Sequence, residues 1–150
     1  MVEIFREYRL ECAHYLPAMP DDHKCRRLHG HSYKIVIKVD GEPDPRTGMI
    51  CDFADMDEAW QDIHSALDHR TLNDIGGQLE NPTAENLAVF IYARWITIFS
   101  AGAREVTVWE TDHAGATYRR RPPTHTHPGF IGADIEDTFA ARALRRGNWE

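Results

Sequence analysis

No apolar run in this 150-residue chain approaches the roughly 18 residues that a membrane span needs. Its opening, MVEIFREYRLECAH, has no apolar stretch of the signal-peptide kind. A cytoplasmic protein is therefore expected. Cysteine is scarce and odd in number, at three: Cys12, Cys25 and Cys51. Without an export signal, three thiols do not suggest a disulfide framework. Positive charge is also short, with 17 Lys and Arg against 24 Asp and Glu, for a net charge of −7. That balance disfavours nucleic acid and anionic membranes as partners. An anionic substrate would need a local basic patch. There is no internal repeat, and no H-E-x-x-H helix to suggest a zinc hydrolase of that kind.

The chain does have the size and apolar content of one soluble domain: 42% of its residues are apolar. It also has nine histidines, so their placement matters more than their number. Tyr8, Leu10, Cys12 and His14 share one parity and read as a strand. A turn signal at Pro20-Asp21-Asp22 follows. His31, Tyr33, Ile35, Ile37 and Val39 then alternate with Ser32, Lys34, Val36, Lys38 and Asp40 as a second strand. Met49 to Phe53 suggests a short extended piece.

Asp55 with Glu58 fits a capping box, ahead of Met56, Trp60, Ile63 and Leu67 at helical spacing. This helix should end near Asp68. Thr83 is a good N-cap for a second helix through Leu87, Phe90, Ile91, Trp95 and Ile98, with Gly102 as a stop. Val106, Val108 and Glu110 share a strand face. Asp112 to Gly115 reads as a hairpin turn, and Ala116 to Arg119 as the return strand. The order ββααββ favours an α+β fold with an antiparallel four-stranded sheet and two helices on one face. Residues 1–120 form the expected domain, and 121–150 a C-terminal tail with one short helix.

Side chains two apart on a strand share a face, so His29 and His31 can both reach one ion. His14 ends the preceding strand, where an antiparallel hairpin brings it beside the start of the next. Three histidines with an open fourth position are the pattern of a catalytic zinc site, although imidazole also suits copper or nickel. The competing account is a chance H-G-H in a histidine-rich chain. His125 and His127 repeat the spacing in a proline-rich stretch that reads as a solvated loop.

Cys25 sits in His23-Lys24-Cys25-Arg26-Arg27, where positive charge favours thiolate. It can serve as a fourth ligand, a nucleophile or a base, or be an ordinary free cysteine. Cys12 and Cys51 lack that setting and read as small core residues. Asp68-His69 pairs a carboxylate with an imidazole, as acid–base sites do. The plainer account is a histidine at a helix C-terminus. Glu110, on an inward parity, wants a bidentate donor: an arginine, or the amidine-like edge of a purine or pterin.

Several spaced motifs add a resemblance. "ECAHYLP", "HKCRRLHGHSYKIVIKVDG", "GMICDFADM", "LDHRTLND", "ENPTAENLA" and "VTVWETDHAGATYR" run in order over about residues 3 to 119. They resemble the family of 6-pyruvoyltetrahydropterin and 6-carboxytetrahydropterin synthases. The wording looks most like the bacterial 6-carboxytetrahydropterin synthases of the queuosine (7-deazaguanine) pathway. The resemblance implies the tunnelling fold and a homohexamer built as a dimer of trimers, with sites at subunit interfaces. It implies Zn2+ on His14, His29 and His31, Cys25 as the catalytic cysteine, and Asp68 and His69 as its proton-transfer partners. Glu110 would anchor the pterin ring, and Thr83 and Glu85 would help line its pocket.

The implied substrate is 7,8-dihydroneopterin triphosphate. The carboxy branch cleaves the side chain and releases acetaldehyde, while the pyruvoyl branch keeps it whole. Lys24, Arg26 and Arg27 are candidates for attracting the triphosphate. A non-catalytic pterin-binding or metal-binding oligomer is the reading from a different class. Two departures stand out. Cys12 stands two before His14, where relatives often have a small residue, and a thiol there can be oxidised or compete for metal. Arg26 stands where close relatives often have glycine.

Overall fold

In the computed structural model of this chain, residues 1–119 are described. The expected tail, 121–150, with its short helix, His125 and His127, lies outside them. The elements are β1 (Val2–His14), β2 (His29–Gly41), α1 (Phe53–Leu67), α2 (Ala84–Ile98), β3 (Glu105–Thr111) and β4 (Ala114–Arg119). Single 3-10 turns occupy Lys24–Arg26, Leu72–Ile75 and Gly77–Glu80. The sheet is antiparallel in the order β1-β2-β3-β4. The ββααββ order read from the sequence is the order found.

Alternation decides which sheet face is covered. Leu10, Tyr33, Ile35, Ile37, Val39, Val106 and Val108 are fully buried and point to the helices. Met56, Ile63 and Leu67 of α1, and Leu87, Ile91 and Trp95 of α2, complete that core. Burying each such side chain contributes roughly 1.5–3 kcal/mol. Polar contacts hold α1 against β1. Tyr8 stacks on Trp60 with centroids 4.7 Å apart, and the Arg6 guanidinium grips both oxygens of Asp57, Nε to Oδ1 at 2.9 Å. The opposite sheet face is polar: Ser32 donates to Glu11 at 2.6 Å, and Lys34 lies over the Trp109 ring.

Three local expectations change. Helix α1 is capped one turn earlier than the Asp55–Glu58 box: Asp52 accepts from the Ala54 N–H at 2.9 Å, and Asp55 falls inside the first turn. The same cap ends the chain's extended course, so Met49 to Phe53 forms no strand. At the last hairpin the turn is shorter, because β4 starts at Ala114 rather than Ala116. Elsewhere Thr83 caps α2 as expected, accepting from Asn86 N–H. That helix ends at Ile98, before Gly102. Cys12 is buried, while Cys51 is half-buried against the core.

Candidate metal and substrate site

The β1–β2 ladder pairs His14 with His29 and Cys12 with His31. The open end of the hairpin therefore gathers three imidazoles on the helix-covered face. One ring nitrogen from each of His14, His29 and His31 lies within 4.8 Å of the others. Gly30 sits between them, and a Cβ there would stand 3.3 Å from the Cys12 carbonyl oxygen.

Backbone carbonyls orient two of these rings. His14 Nδ1 is 2.7 Å from the Pro82 carbonyl oxygen, and His29 Nδ1 is 2.7 Å from that of Arg27. A carbonyl only accepts, so each Nδ1 carries the proton and each Nε2 presents a lone pair. Yet those two Nε2 atoms are 3.0 Å apart. Lone pairs facing at that distance call for a cation between them. Two donors on one tetrahedral zinc, each about 2.0–2.1 Å from it, would stand about 3.3 Å apart. The buried His31 Nε2 has no hydrogen-bond partner and completes the set. Burial, followed by the neighbouring imidazoles, lowers the basicity of His14 and His31, which keeps both in the neutral form that metals bind. The residues present fit a zinc ion.

Glu110 joins this centre. Its Oε1 lies 3.4 Å from His31 Nε2 and 3.5 Å from His14 Nε2. A break in register puts it there: Trp109 pairs with Gly115 but Thr111 pairs with Ala114, which leaves Glu110 as the extra residue of a β-bulge. Bulges re-aim side chains in this way. Gly115 permits the close approach, since a Cβ there would meet the Val108 carbonyl oxygen at 2.4 Å.

Asp68 caps α1 and forms the expected pair with His69, Oδ2 to Nδ1 at 2.6 Å. Burial alone would raise the Asp68 carboxyl, but the Glu11 N–H and the His69 ring hold it below the usual range. His69 adopts φ 57°, a left-handed conformation that costs a non-glycine residue on the order of 1 kcal/mol. Two bonds to β1 enforce it: His69 N–H to the Glu11 carbonyl at 2.6 Å, and Ala13 N–H to the Arg70 carbonyl at 2.9 Å. As a result His31, His69, Arg70 and Cys12 line one open groove.

Cys25 lies half-buried in the Lys24–Arg26 turn, and its N–H donates to His23 Nδ1 at 3.1 Å. Its thiol is outside the group of converging ligand atoms. Burial, helped by the Asp68 and Glu11 charges, pushes the Cys12 thiol up to about 12. Arg26 is committed elsewhere: it bonds the Pro17 and Met19 carbonyls and pairs with Asp21. Arg26 is thus a loop clamp, which corrects its candidacy as a triphosphate contact. Thr83 spends its hydroxyl on capping α2, and Glu85 is exposed in that helix's first turn.

The sequence reading missed the carbonyls of Pro82 and Arg27, because a backbone acceptor has no side-chain signature. It also missed Tyr33, whose hydroxyl lies 3.3 Å from His14 Nδ1. There a signal existed, since Tyr33 follows His31 on the same strand parity.

Sheet, helices and three-histidine centre together define a class: an α+β scaffold carrying its chemistry at the open end of a β-hairpin. Residues 3–121 match the profile of the family described as 6-pyruvoyl tetrahydropterin synthase. The chain is 38% identical over 121 residues to a 6-carboxy-5,6,7,8-tetrahydropterin synthase of Synechocystis, covering 77% of this chain and 91% of that protein. It is 35% identical over 100 residues to the 6-pyruvoyl tetrahydrobiopterin synthase of Homo sapiens, covering 61% of this chain and 66% of that protein. The solved 6-pyruvoyl tetrahydropterin synthase of Caenorhabditis elegans superposes with a TM-score of 0.73 at 27% identity, over 80% of this chain and 96% of that one. The chain belongs to the 6-pyruvoyl tetrahydropterin synthase family, is an enzyme of the lyase type, and has that family's tunnelling fold.

Proposed function

We propose that this protein converts 7,8-dihydroneopterin triphosphate to 6-carboxy-5,6,7,8-tetrahydropterin, releasing acetaldehyde and triphosphate. The observation that carries the reading is the meeting of the His14 and His29 Nε2 atoms at 3.0 Å, beside a His31 Nε2 that makes no hydrogen bond. The resemblance to a named 6-carboxytetrahydropterin synthase over most of both chains supports the choice of product.

In this reading His14, His29 and His31 hold Zn2+, which supplies Lewis acidity toward the substrate's side-chain hydroxyls. Cys25, from its turn beside β2, takes a proton from the side-chain carbon. His69 exchanges the proton on another face, and the Asp68 carboxylate keeps its Nδ1 protonated and its Nε2 free. Glu110 holds the ring edge through two oxygens, so the reacting carbon is kept in register with the thiol. Thr83 and Glu85 shape the rim at the start of α2. The protein would serve queuosine synthesis in the cytoplasm, with residues 1–120 as the catalytic domain and 121–150 as an appended tail. The outer edges of β1 and β4 end the sheet, which suits closure with further copies into trimers and a hexamer.

The test is a product assay. Zinc-loaded protein is incubated with 7,8-dihydroneopterin triphosphate, and pterins and acetaldehyde are identified by mass spectrometry. Carboxytetrahydropterin with acetaldehyde is expected. A pyruvoyl product without acetaldehyde would establish the second reading, which the human relative favours. Zinc binding without turnover would leave the non-catalytic oligomer.

A further inference from the structure

We infer that Arg70 is the anion anchor of the groove and binds the phosphoryl end of a phosphorylated substrate. The inference rests on the reading above only for the identity of that substrate. Its own grounds are the position and the freedom of one guanidinium.

Arg70 lines the same groove as His31 and His69, one a metal-site imidazole and the other half of the acid–base pair. Its backbone is held rigidly, with its carbonyl bonded to Ala13 N–H at 2.9 Å and its neighbour His69 in a left-handed conformation. Two bonds to β1 hold that conformation, and the conformation places His69 and Arg70 together at the groove. The guanidinium itself is exposed and, among the described residues, makes no ion pair or hydrogen bond.

The groove's own carboxylate, Glu11, accepts from Ser32 at 2.6 Å and, among the described residues, forms no ion pair with Arg70. Arg26 is consumed in clamping its loop. Lys24 and Arg27 are exposed but do not line this groove. In a chain of net charge −7, an anionic substrate needs a local cation, and among the described residues Arg70 is the lysine or arginine that lines this groove. Its planar fork suits two oxygens of a phosphate.

Two probes separate this inference from the pterin reading. Neopterin and neopterin triphosphate, which are fluorescent and unreactive, are titrated by anisotropy into zinc-loaded wild type, Arg70→Ala, Arg70→Lys and Arg46→Ala. Arg46 lies beyond the far end of β2 and controls for general charge. Wild type should prefer the triphosphate, and Arg70→Ala should reduce that preference about tenfold or more while leaving neopterin binding unchanged. Arg70→Lys should recover part of it, and Arg46→Ala should match wild type. An unaltered preference in Arg70→Ala, or an equal loss in Arg46→Ala, would overturn the assignment.

If wild type binds neither pterin, the pterin reading fails. Inorganic phosphate, titrated by calorimetry, then tests Arg70 alone. Binding lost in Arg70→Ala sustains the inference, and binding that is absent or unchanged defeats it.

Discussion

His14 and His29 face each other across the last rung of the β1–β2 ladder, Nε2 to Nε2 at 3.0 Å, each ring tethered behind by a carbonyl. The arrangement makes metal binding a property of the hairpin end. Replacing His31, which is less buried than His14, should abolish it without unfolding the chain. Elemental analysis of His31→Ala should find little zinc where wild type holds about one per chain, with the circular dichroism spectrum unchanged. Full zinc content in this variant would remove His31 from the ligand set.

Cys25 lies outside the three-histidine group, so its loss should separate chemistry from metal binding. Cys25→Ala is expected to keep its zinc and lose about 10²–10⁴ of kcat, the range for a positioned acid or base. Paired measurements of metal content and turnover check this. Undiminished turnover would move the general base elsewhere.

The start of α2 links fold stability to the metal centre. Thr83 caps the helix, and the preceding Pro82 carbonyl orients His14. Thr83→Ala should lower stability by about 1 kcal/mol, the usual cost of a lost cap. It should also weaken zinc binding, up to about tenfold, because a group that aims a ligand influences affinity. A competition titration against a chromophoric chelator reads the second effect. A stability loss with unchanged affinity would show that Pro82 keeps its place without the cap.

At the other end of the sheet Glu105 is buried on the polar face, with Lys38 at 3.3 Å and Arg119 at 2.5 Å. Burial would raise its carboxyl, but the bonds from Arg119 and Lys38 hold it below the usual value. A carboxyl with a lowered folded-state value stabilises above its unfolded value, about 4.3. That stability is lost as pH falls through the folded value. Glu105→Gln should therefore cost about 1–3 kcal/mol at neutral pH, the penalty for an unmet buried charge partner. The difference from wild type should shrink below about pH 4. Urea midpoints at pH 7 and pH 3.5 check both halves, and a constant gap would contradict the linkage.

The sequence by itself determined the ββααββ order and the three histidines that converge at the hairpin end. Strand alternation fixes which side chains share a face, and Thr83 and the apolar spacing mark α2. The short range of these rules also explains what they left out. The Asp55–Glu58 box was a plausible start for α1, but Asp52 reached the free N–H groups first. Parity carried Glu110 inward, yet the bulge opposite Gly115 set its carboxylate beside His14 and His31.

Only the tertiary structure could choose the carbonyls of Pro82 and Arg27 as the groups that orient the imidazoles, because every residue has a carbonyl. Only the docking of the Asp68–Arg70 turn onto β1 could bring His69 and Arg70 into the groove with His31. Apart from Arg27, two residues from His29, those partners are some 40 to 70 residues apart in the chain, and their meeting depends on burying the sheet's apolar face under both helices. Local patterning names the chemical groups, and long-range packing decides which of them meet.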